Sequence, residues 1–380
     1  RQYDKAVQVP QKLAEAIAQT ASLAKQAWVE ARKEDHFGKF EPKLTQLVGL
    51  IKQKAQCFGL AIPYDVLIDY FEPEATSIQI TEIFKQLKTE LVPLMQKIIN
   101  SKKYSDDSPC HGAYPLETQK KLALEAIQTI GFDLEAGRVD TTAHPFSLTV
   151  GANDVRLATR YSPDCFNDTF FCLMHESGHG LYEQGLPEEH YGTPRGRTVS
   201  VGIHESQSLF WENMIGRSLG FWQYFYPHVQ KAFPQNLARV SVDAFYRAVN
   251  TVKPSFIRVE ADEVTYPLHV ILRYEIEQEI FADKIQVKDI PQVWNERFEK
   301  LLGLKVPDNR QGCLQDIHWS LGIFGYFPTY LLGKLYAACF YEKAQSDLGD
   351  INELCSRGEF AKILHWLRTN IHKPGMTYNA

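Results

Sequence analysis

Several things are scarce in this chain of 380 residues, and each absence removes a class of protein. No apolar run reaches the length of roughly 20 residues needed to cross a bilayer, which excludes a helical membrane span. The formal charge of −5 leaves no basic footprint for nucleic acid or an anionic membrane surface. No C-x-x-C pair occurs, and the seven cysteines (57, 110, 165, 172, 313, 339, 355) are odd in number and widely spread. A disulfide framework is therefore not expected, and a reducing cytoplasm is the expected compartment. The opening Arg1-Gln2-Tyr3-Asp4-Lys5 lacks the apolar core of a signal peptide and an initiator Met. The beginning reads as processed, cut or incompletely represented. Internal repeats and low-complexity tracts are missing too.

What is present is mostly helical periodicity. Apolar residues recur at helical spacing from about Pro10 to Glu34, Pro42 to Cys57, Thr76 to Asn100, Leu116 to Ile130 and Asp262 to Ala282. The last third adds Val287 to Leu302, Phe327 to Gln345 and Phe360 to Ile371. Ser101 to Tyr114, rich in Ser, Asp, Pro and Gly, reads as a loop. One stretch departs from this rule. Phe146 to Val150 and Val155 to Arg160 alternate around the turn residues Gly151-Ala152-Asn153-Asp154, which predicts a β-hairpin. Such a hairpin either offers an edge on which an extended peptide docks or simply covers a core.

Directly after it comes His175-Glu176-Ser177-Gly178-His179, an H-E-x-x-H pattern in an apolar, helix-like segment. Histidines four apart share one helix face about 6 Å from each other, so both imidazoles reach one small cation. Glu176 is turned by roughly 100° and lies beside that cation rather than on it. This arrangement suits a metal site in which the carboxylate deprotonates a bound water. A five-residue match also arises by chance, so the surroundings matter. Cys165 and Cys172 flank the pattern and read either as ligands or, more simply, as small apolar filler.

Catalytic zinc usually takes three protein ligands. Gly202-Ile203-His204-Glu205-Ser206-Gln207-Ser208 begins a second helix-like segment through Trp211, Met214 and Ile215, after a loop with Pro194 and Gly196. An antiparallel return helix would bring Glu205 to the level of His175 and His179. Otherwise His204 and Glu205 are ordinary residues near a helix start. Gly178 and Gly180, each costing a helix about 0.8–1 kcal/mol relative to Ala, suggest that something approaches the backbone closely. Further on, residues 312–319 and 322–330 crowd polar, aromatic and glycine residues. His318, Tyr326 and Tyr330 are candidate hydrogen-bond donors to a carbonyl oxygen that gains charge during amide hydrolysis, or else packed aromatics and a core histidine.

With these residues in view, the chain resembles the carboxypeptidase Taq-type zinc metallocarboxypeptidases. The blocks that carry the resemblance are His144-Pro145-Phe146, Asp154 with Arg156 and Thr159, and His175 to His179. They continue with His204-Glu205-Ser206-Gln207, Ile257-Arg258 with Ala261-Asp262, and Gly312 with Gln315-Asp316 and His318-Trp319. The resemblance implies a mostly α-helical, elongated fold with a deep central groove, similar to neurolysin and angiotensin-converting enzyme, with a small β-hairpin or sheet beside the active site. Residues 1–380 would form a single catalytic domain of two lobes around that groove. The implied activity is release of single residues from peptide C-termini with broad preference, by a homodimer. The implied metal ligands are His175, His179 and Glu205, with Glu176 as general base and later proton donor. Zinc is the implied metal, with cobalt or manganese as alternatives. Arg258 would supply a cation for the substrate's terminal carboxylate, or else form an ion pair with Glu260 or Asp262. His144 and Arg156 would lie on the groove floor.

Members of that family usually carry further helices before the position of Arg1 and a short piece after Ala380. Groove access, stability or dimer formation would then differ in this chain. Two rival functions are an oligopeptidase that cuts inside short peptides and a non-catalytic peptide-binding homologue. Peptides are the expected partners, with no nucleic acid and no membrane.

Overall fold

The computed structural model describes residues 2–101, 106–142 and 145–380. His144, expected on a groove floor, lies outside the described residues. The chain is mostly α-helical with one small sheet. The longer helices are α1 (Gln11–Glu34), α2 (Glu41–Gln56), α3 (Ser77–Asn100), α4 (Leu116–Thr129), α5 (Phe166–Glu183) and α6 (Val201–Leu209). They are followed by α7 (Leu219–Ala232), α8 (Tyr266–Phe281), α9 (Ile290–Leu302), α10 (Phe327–Leu348) and α11 (Phe360–Leu367). Most of the expected helical segments match to within two or three residues. α8 is an exception at its start, which falls four residues after Asp262. The Asp262 carboxylate accepts from the amides of Val264 and Thr265 at 2.9 and 3.0 Å and from the Thr265 hydroxyl, holding a turn there instead of helix. The segment expected to run from Phe360 to Ile371 is α-helical only to Leu367 and continues as a π-helical stretch, Arg368–His372.

Two compact units are distinguishable, residues 1–102 with 252–330 and residues 103–251 with 331–380. In the first unit, α8 is buried over most of its surface from Pro267 through Phe281, including the polar His269, Arg273 and Glu277. Its fully buried Glu277 accepts from Tyr64 Oη, Trp319 Nε1 and the Gly325 amide at 2.7, 2.7 and 2.8 Å. One carboxylate thus ties the loop of residues 318–326 to α8. Three donors offset part of the cost of burying that group, and burial still pushes its carboxyl up to about 7.

The second unit holds the sheet and a large aromatic core. Phe166, Phe170, Leu173 and Met174 share one face of α5 by their spacing, and all are buried. Phe166 and Phe170 stack with centroids 5.1 Å apart, and Trp222 and Phe225 of α7 close over Phe170. Burial of each such side chain contributes about 1.5–3 kcal/mol. The remaining face of α5 is left to carry polar groups.

The sheet has three strands, β1 (Gly137–Thr141), β2 (Phe146–Thr149) and β3 (Val155–Thr159), in the order β1-β3-β2. The expected hairpin is present, with Phe146 opposite Ala158 and Thr149 opposite Val155. Asn153 takes the left-handed conformation in its turn. The first strand was not apparent in the sequence, being five residues with two charges. It pairs in parallel with β3, so β3 is central and β2 is an edge. On that edge segment Phe146, Leu148 and Val150 are exposed.

Candidate metal centre

α5 and α6 pack so closely that an added Cβ on Gly178 would lie 2.5 Å from the Gln207 carbonyl oxygen and the Ser208 Cα. The backbone approach suggested by the two glycines is therefore real. Gly178 admits α6, whereas Gly180 admits the ring of Phe132 and the side chain of Leu157. On the facing helix, Ser206 and Ser208 donate to carbonyls three residues back at 2.6 Å, which satisfies hydroxyls that would otherwise be buried and unpaired. Ser200 caps α6, accepting from the Ile203 amide at 3.0 Å.

This packing places Glu205 against both histidines. Glu205 Oε2 lies 3.7 Å from His175 Nε2 and 3.5 Å from His179 Nε2. The three ligand atoms lie within 4.8 Å of one another. Among the described residues, this is the one group of three or more His, Cys, Asp or Glu able to hold a metal ion. Cys165 and Cys172 are not part of it. Cys172 Sγ instead accepts from the Thr159 hydroxyl at 3.3 Å, and all seven cysteines are free thiols.

Partners beyond the three candidate ligands hold the two imidazoles in place. His175 Nδ1 lies 2.9 Å from Glu212 Oε2. A proton on Nδ1 satisfies that carboxylate, and a cation that replaced the proton of Nε2 would meet a lone pair there. His179 Nδ1 faces His204, 3.1 Å from its carbonyl oxygen and 2.6 Å from its Nδ1. Glu212 follows Glu205 by seven residues, two helical turns, and Glu183 follows His179 by four. Both spacings were readable signals once the ligands were suspected. Gly333 of α10 had no such signal. A Cβ there would lie 2.7 Å from Cβ and Cγ of Glu205, so only glycine leaves that side chain its place.

The electrostatics fit a cation. Burial opposes charge on His175, yet Glu205 and Glu212 outweigh it and raise the imidazole to about 10. Burial also works against the Glu205 carboxylate, but the histidines bring it down to about 2. Burial, reinforced by the neighbouring His204, lowers His179 to about 4. The carboxylates therefore draw positive charge into the cluster. Two imidazole nitrogens and a carboxylate oxygen form a donor set that a divalent ion such as zinc accepts. Glu176, only 7% exposed, is pushed by burial up to about 7, poised to exchange a proton near neutrality.

The other expected site residues belong to other elements. Arg156 on β3 is partly exposed and bidentate with Asp154, both contacts at 2.8 Å. In the first unit, His318 Nε2 lies 3.1 Å from Tyr330 Oη, and the ring of Tyr326 lies 5.5 Å from that of His318 and 5.2 Å from that of Tyr330. Burial lowers His318 to about 4, so it is neutral at pH 7. Arg258 is 5% exposed and pairs with Asp316, through Nε at 3.1 Å and Nη2 at 2.9 Å, rather than with Glu260. Its Nη1 donates to Tyr266 Oη at 2.9 Å. Asp316 also takes Arg273 Nε at 2.6 Å.

Comparison with known proteins agrees with this geometry. A family model described as carboxypeptidase Taq (M32) metallopeptidase matches residues 1–380. The chain is 46% identical over 386 aligned positions to thermostable carboxypeptidase 1 of Thermus thermophilus, covering 99% of this chain and 76% of that protein. It is 42% identical to carboxypeptidase 1 of Bacillus subtilis, over 99% and 75% of the two chains. The crystal structure of a carboxypeptidase from Deinococcus radiodurans matches with a TM-score of 0.97 at 36% identity, over 100% of this chain and 76% of that one. The two helices that bring His175, His179 and Glu205 together thus belong to a metallopeptidase, and the chain is a member of the carboxypeptidase Taq family.

Proposed function

We propose that this chain is a zinc-dependent carboxypeptidase that releases single residues from the C-termini of peptides with broad preference. The observation that carries the reading is the convergence of His175 Nε2, His179 Nε2 and Glu205 Oε2 beside a buried Glu176. When bound there, zinc supplies Lewis-acid polarisation of the scissile carbonyl and acidifies the attacking water. Glu176 takes the proton of that water and returns it to the leaving amine, a cycle suited to a carboxyl group that titrates near 7. His318, Tyr326 and Tyr330 donate hydrogen bonds to the oxyanion, and their clustering supports that assignment. Arg258 meets the terminal carboxylate. Support for this role comes from charge, since Arg258 and Arg273 share one carboxylate and leave one positive charge in excess. The exposed edge β2, with Arg156 on the adjoining strand, serves extended peptide backbone.

Among the described residues no helix is long and apolar enough to cross a membrane. A cytoplasmic homodimer belongs to the same reading, and sedimentation of the purified chain tests the dimer. The test of the activity is hydrolysis of one peptide with a free and with an amidated C-terminus. Release of the last residue from the free form alone supports the carboxypeptidase. Equal cleavage of both forms overturns it in favour of an oligopeptidase, and zinc-independent inertness toward both points to a non-catalytic homologue.

A further inference from the structure

The two histidine ligands are held by different devices. His175 donates from Nδ1 directly to a carboxylate, Glu212. His179 instead meets a second imidazole, since its Nδ1 lies 2.6 Å from His204 Nδ1 with ring centroids 4.6 Å apart. The far nitrogen of that imidazole, His204 Nε2, lies 3.0 Å from Glu183 Oε1. Two ring nitrogens at 2.6 Å need one proton between them, because two protons or two lone pairs there would repel.

The position of that proton follows from the end of the chain. A carboxylate only accepts, so His204 carries its proton on Nε2 and gives it to Glu183. In a neutral imidazole the other nitrogen accepts, so His204 Nδ1 is the acceptor and His179 carries its proton on Nδ1. That leaves His179 Nε2 as the lone pair facing Glu205. The opposite arrangement, with a proton on His204 Nδ1, would force the proton of His179 onto Nε2, where it blocks a metal.

We propose that Glu183 and His204 are positioning residues that lock His179 in its metal-binding tautomer, Glu183 acting only through His204. The backbone makes this economical. Glu183 lies one helical turn beyond His179 on α5, and His204 immediately precedes Glu205 on α6, so the helix that brings the third ligand also brings the buttress for the second. The Tyr182 ring, 5.5 Å from that of His204, packs beside it. The inference rests on the reading of His175, His179 and Glu205 as metal ligands.

The test measures zinc dissociation constants by chelator competition on the purified full chain. Glu183→Leu should weaken zinc binding 10- to 100-fold, the range seen when partners of ligating histidines are removed. Glu183→Gln keeps a carbonyl acceptor for His204 Nε2 and should restore most of the affinity. His204→Ala should weaken binding less than Glu183→Leu, since the carbonyl of residue 204, 3.1 Å from His179 Nδ1, remains. The double variant should then match His204→Ala alone. Wild-type affinity in Glu183→Leu, additive losses in the double variant, or no recovery in Glu183→Gln would each overturn the proposal.

A second measurement needs no variant. Nitrogen-15 spectra of the imidazoles in the unsubstituted protein should show His179 protonated at Nδ1 and His204 at Nε2, and the reverse assignment overturns the idea even if the variants do not fold. Failure of the wild type to take up zinc, with no change on His175→Ala, would count against the ligand set itself. The tautomers would still decide the positioning claim.

Discussion

Around His175 and His179 carboxylates crowd together, with Glu176, Glu205, Glu212 and Glu183 all within reach of the imidazoles. Around Asp316 the balance is reversed, with two guanidinium groups sharing one carboxylate. Both clusters are largely buried, yet they spend their hydrogen-bonding capacity differently. Arg258 turns nearly every donor onto Asp316 and Tyr266, and its flat face lies 4.7 Å from the Tyr330 ring centroid. The histidines direct one nitrogen each at a protein partner and aim the other at a common point. In the first pattern the donors are mostly engaged while one positive charge stays in excess, and in the second the groups converge on a point that a cation completes. Burial of charge alone does not identify a metal site; the direction of the lone pairs does.

Breaking each cluster should therefore have different consequences. The largest effect is expected from Glu176→Gln. Loss of a general base lowers kcat by about 10²- to 10⁴-fold, while zinc content and thermal midpoint stay near wild type. Steady-state kinetics with metal analysis checks this, and near-normal turnover would remove Glu176 from the mechanism.

Asp316→Ala should be the most damaging change to the fold. It leaves Arg258 and Arg273 without their shared anion, a loss of about 3–5 kcal/mol for a buried pair deprived of one partner. Urea denaturation of the two forms measures it, and an unchanged midpoint would mean that solvent reaches the cluster.

A smaller effect is expected from Gly178→Ala. Its methyl group meets the backbone of Gln207 and Ser208 at 2.5 Å, so α6 must shift. Overpacking of this kind costs about 1–3 kcal/mol. Because Glu205 rides on α6, zinc affinity should fall in the same variant, and calorimetric titration would show whether the two losses travel together.

The smallest effect is a pH dependence of stability. Burial, with Arg368 nearby, lowers His372 to about 3, and burial followed by Arg273 and Arg258 holds His269 well below the usual histidine range. Each folded-state value lies below the unfolded value of about 6.5. The stabilisation from keeping these rings neutral is complete above about pH 6.5 and shrinks as pH falls toward the folded values, because the unfolded chain then binds more protons. Thermal midpoints should decline from pH 7 to pH 5. His372→Asn should flatten part of that decline, and an identical slope in the variant would assign it to other groups.

The helices were legible because their stripes are strong. In α5, Phe166, Phe170 and Leu173 mark the buried face, and His175 and His179 stand off it. The hairpin was legible from alternation and from Asn153 in its turn. β1 was not, because a strand of Gly, Arg, Val, Asp and Thr carries almost no pattern of its own and exists by pairing in parallel with β3. The start of α8 was misplaced because Asp262 binds the following amides with its side chain, which periodicity does not report.

For the metal centre, the sequence by itself determined the spacing of His175, Glu176 and His179, the return segment carrying Glu205, and the glycine that admits it. Those are local properties, set by 3.6 residues per turn and by the absence of a Cβ. Tertiary structure alone decided that Glu212 and His204 hold the two candidate ligand imidazoles, that Gly333 leaves room for Glu205, and that Asp316 is the partner of Arg258. Hydrogen bonds between segments dozens of residues apart depend on which faces pack, and periodicity sees only one face at a time.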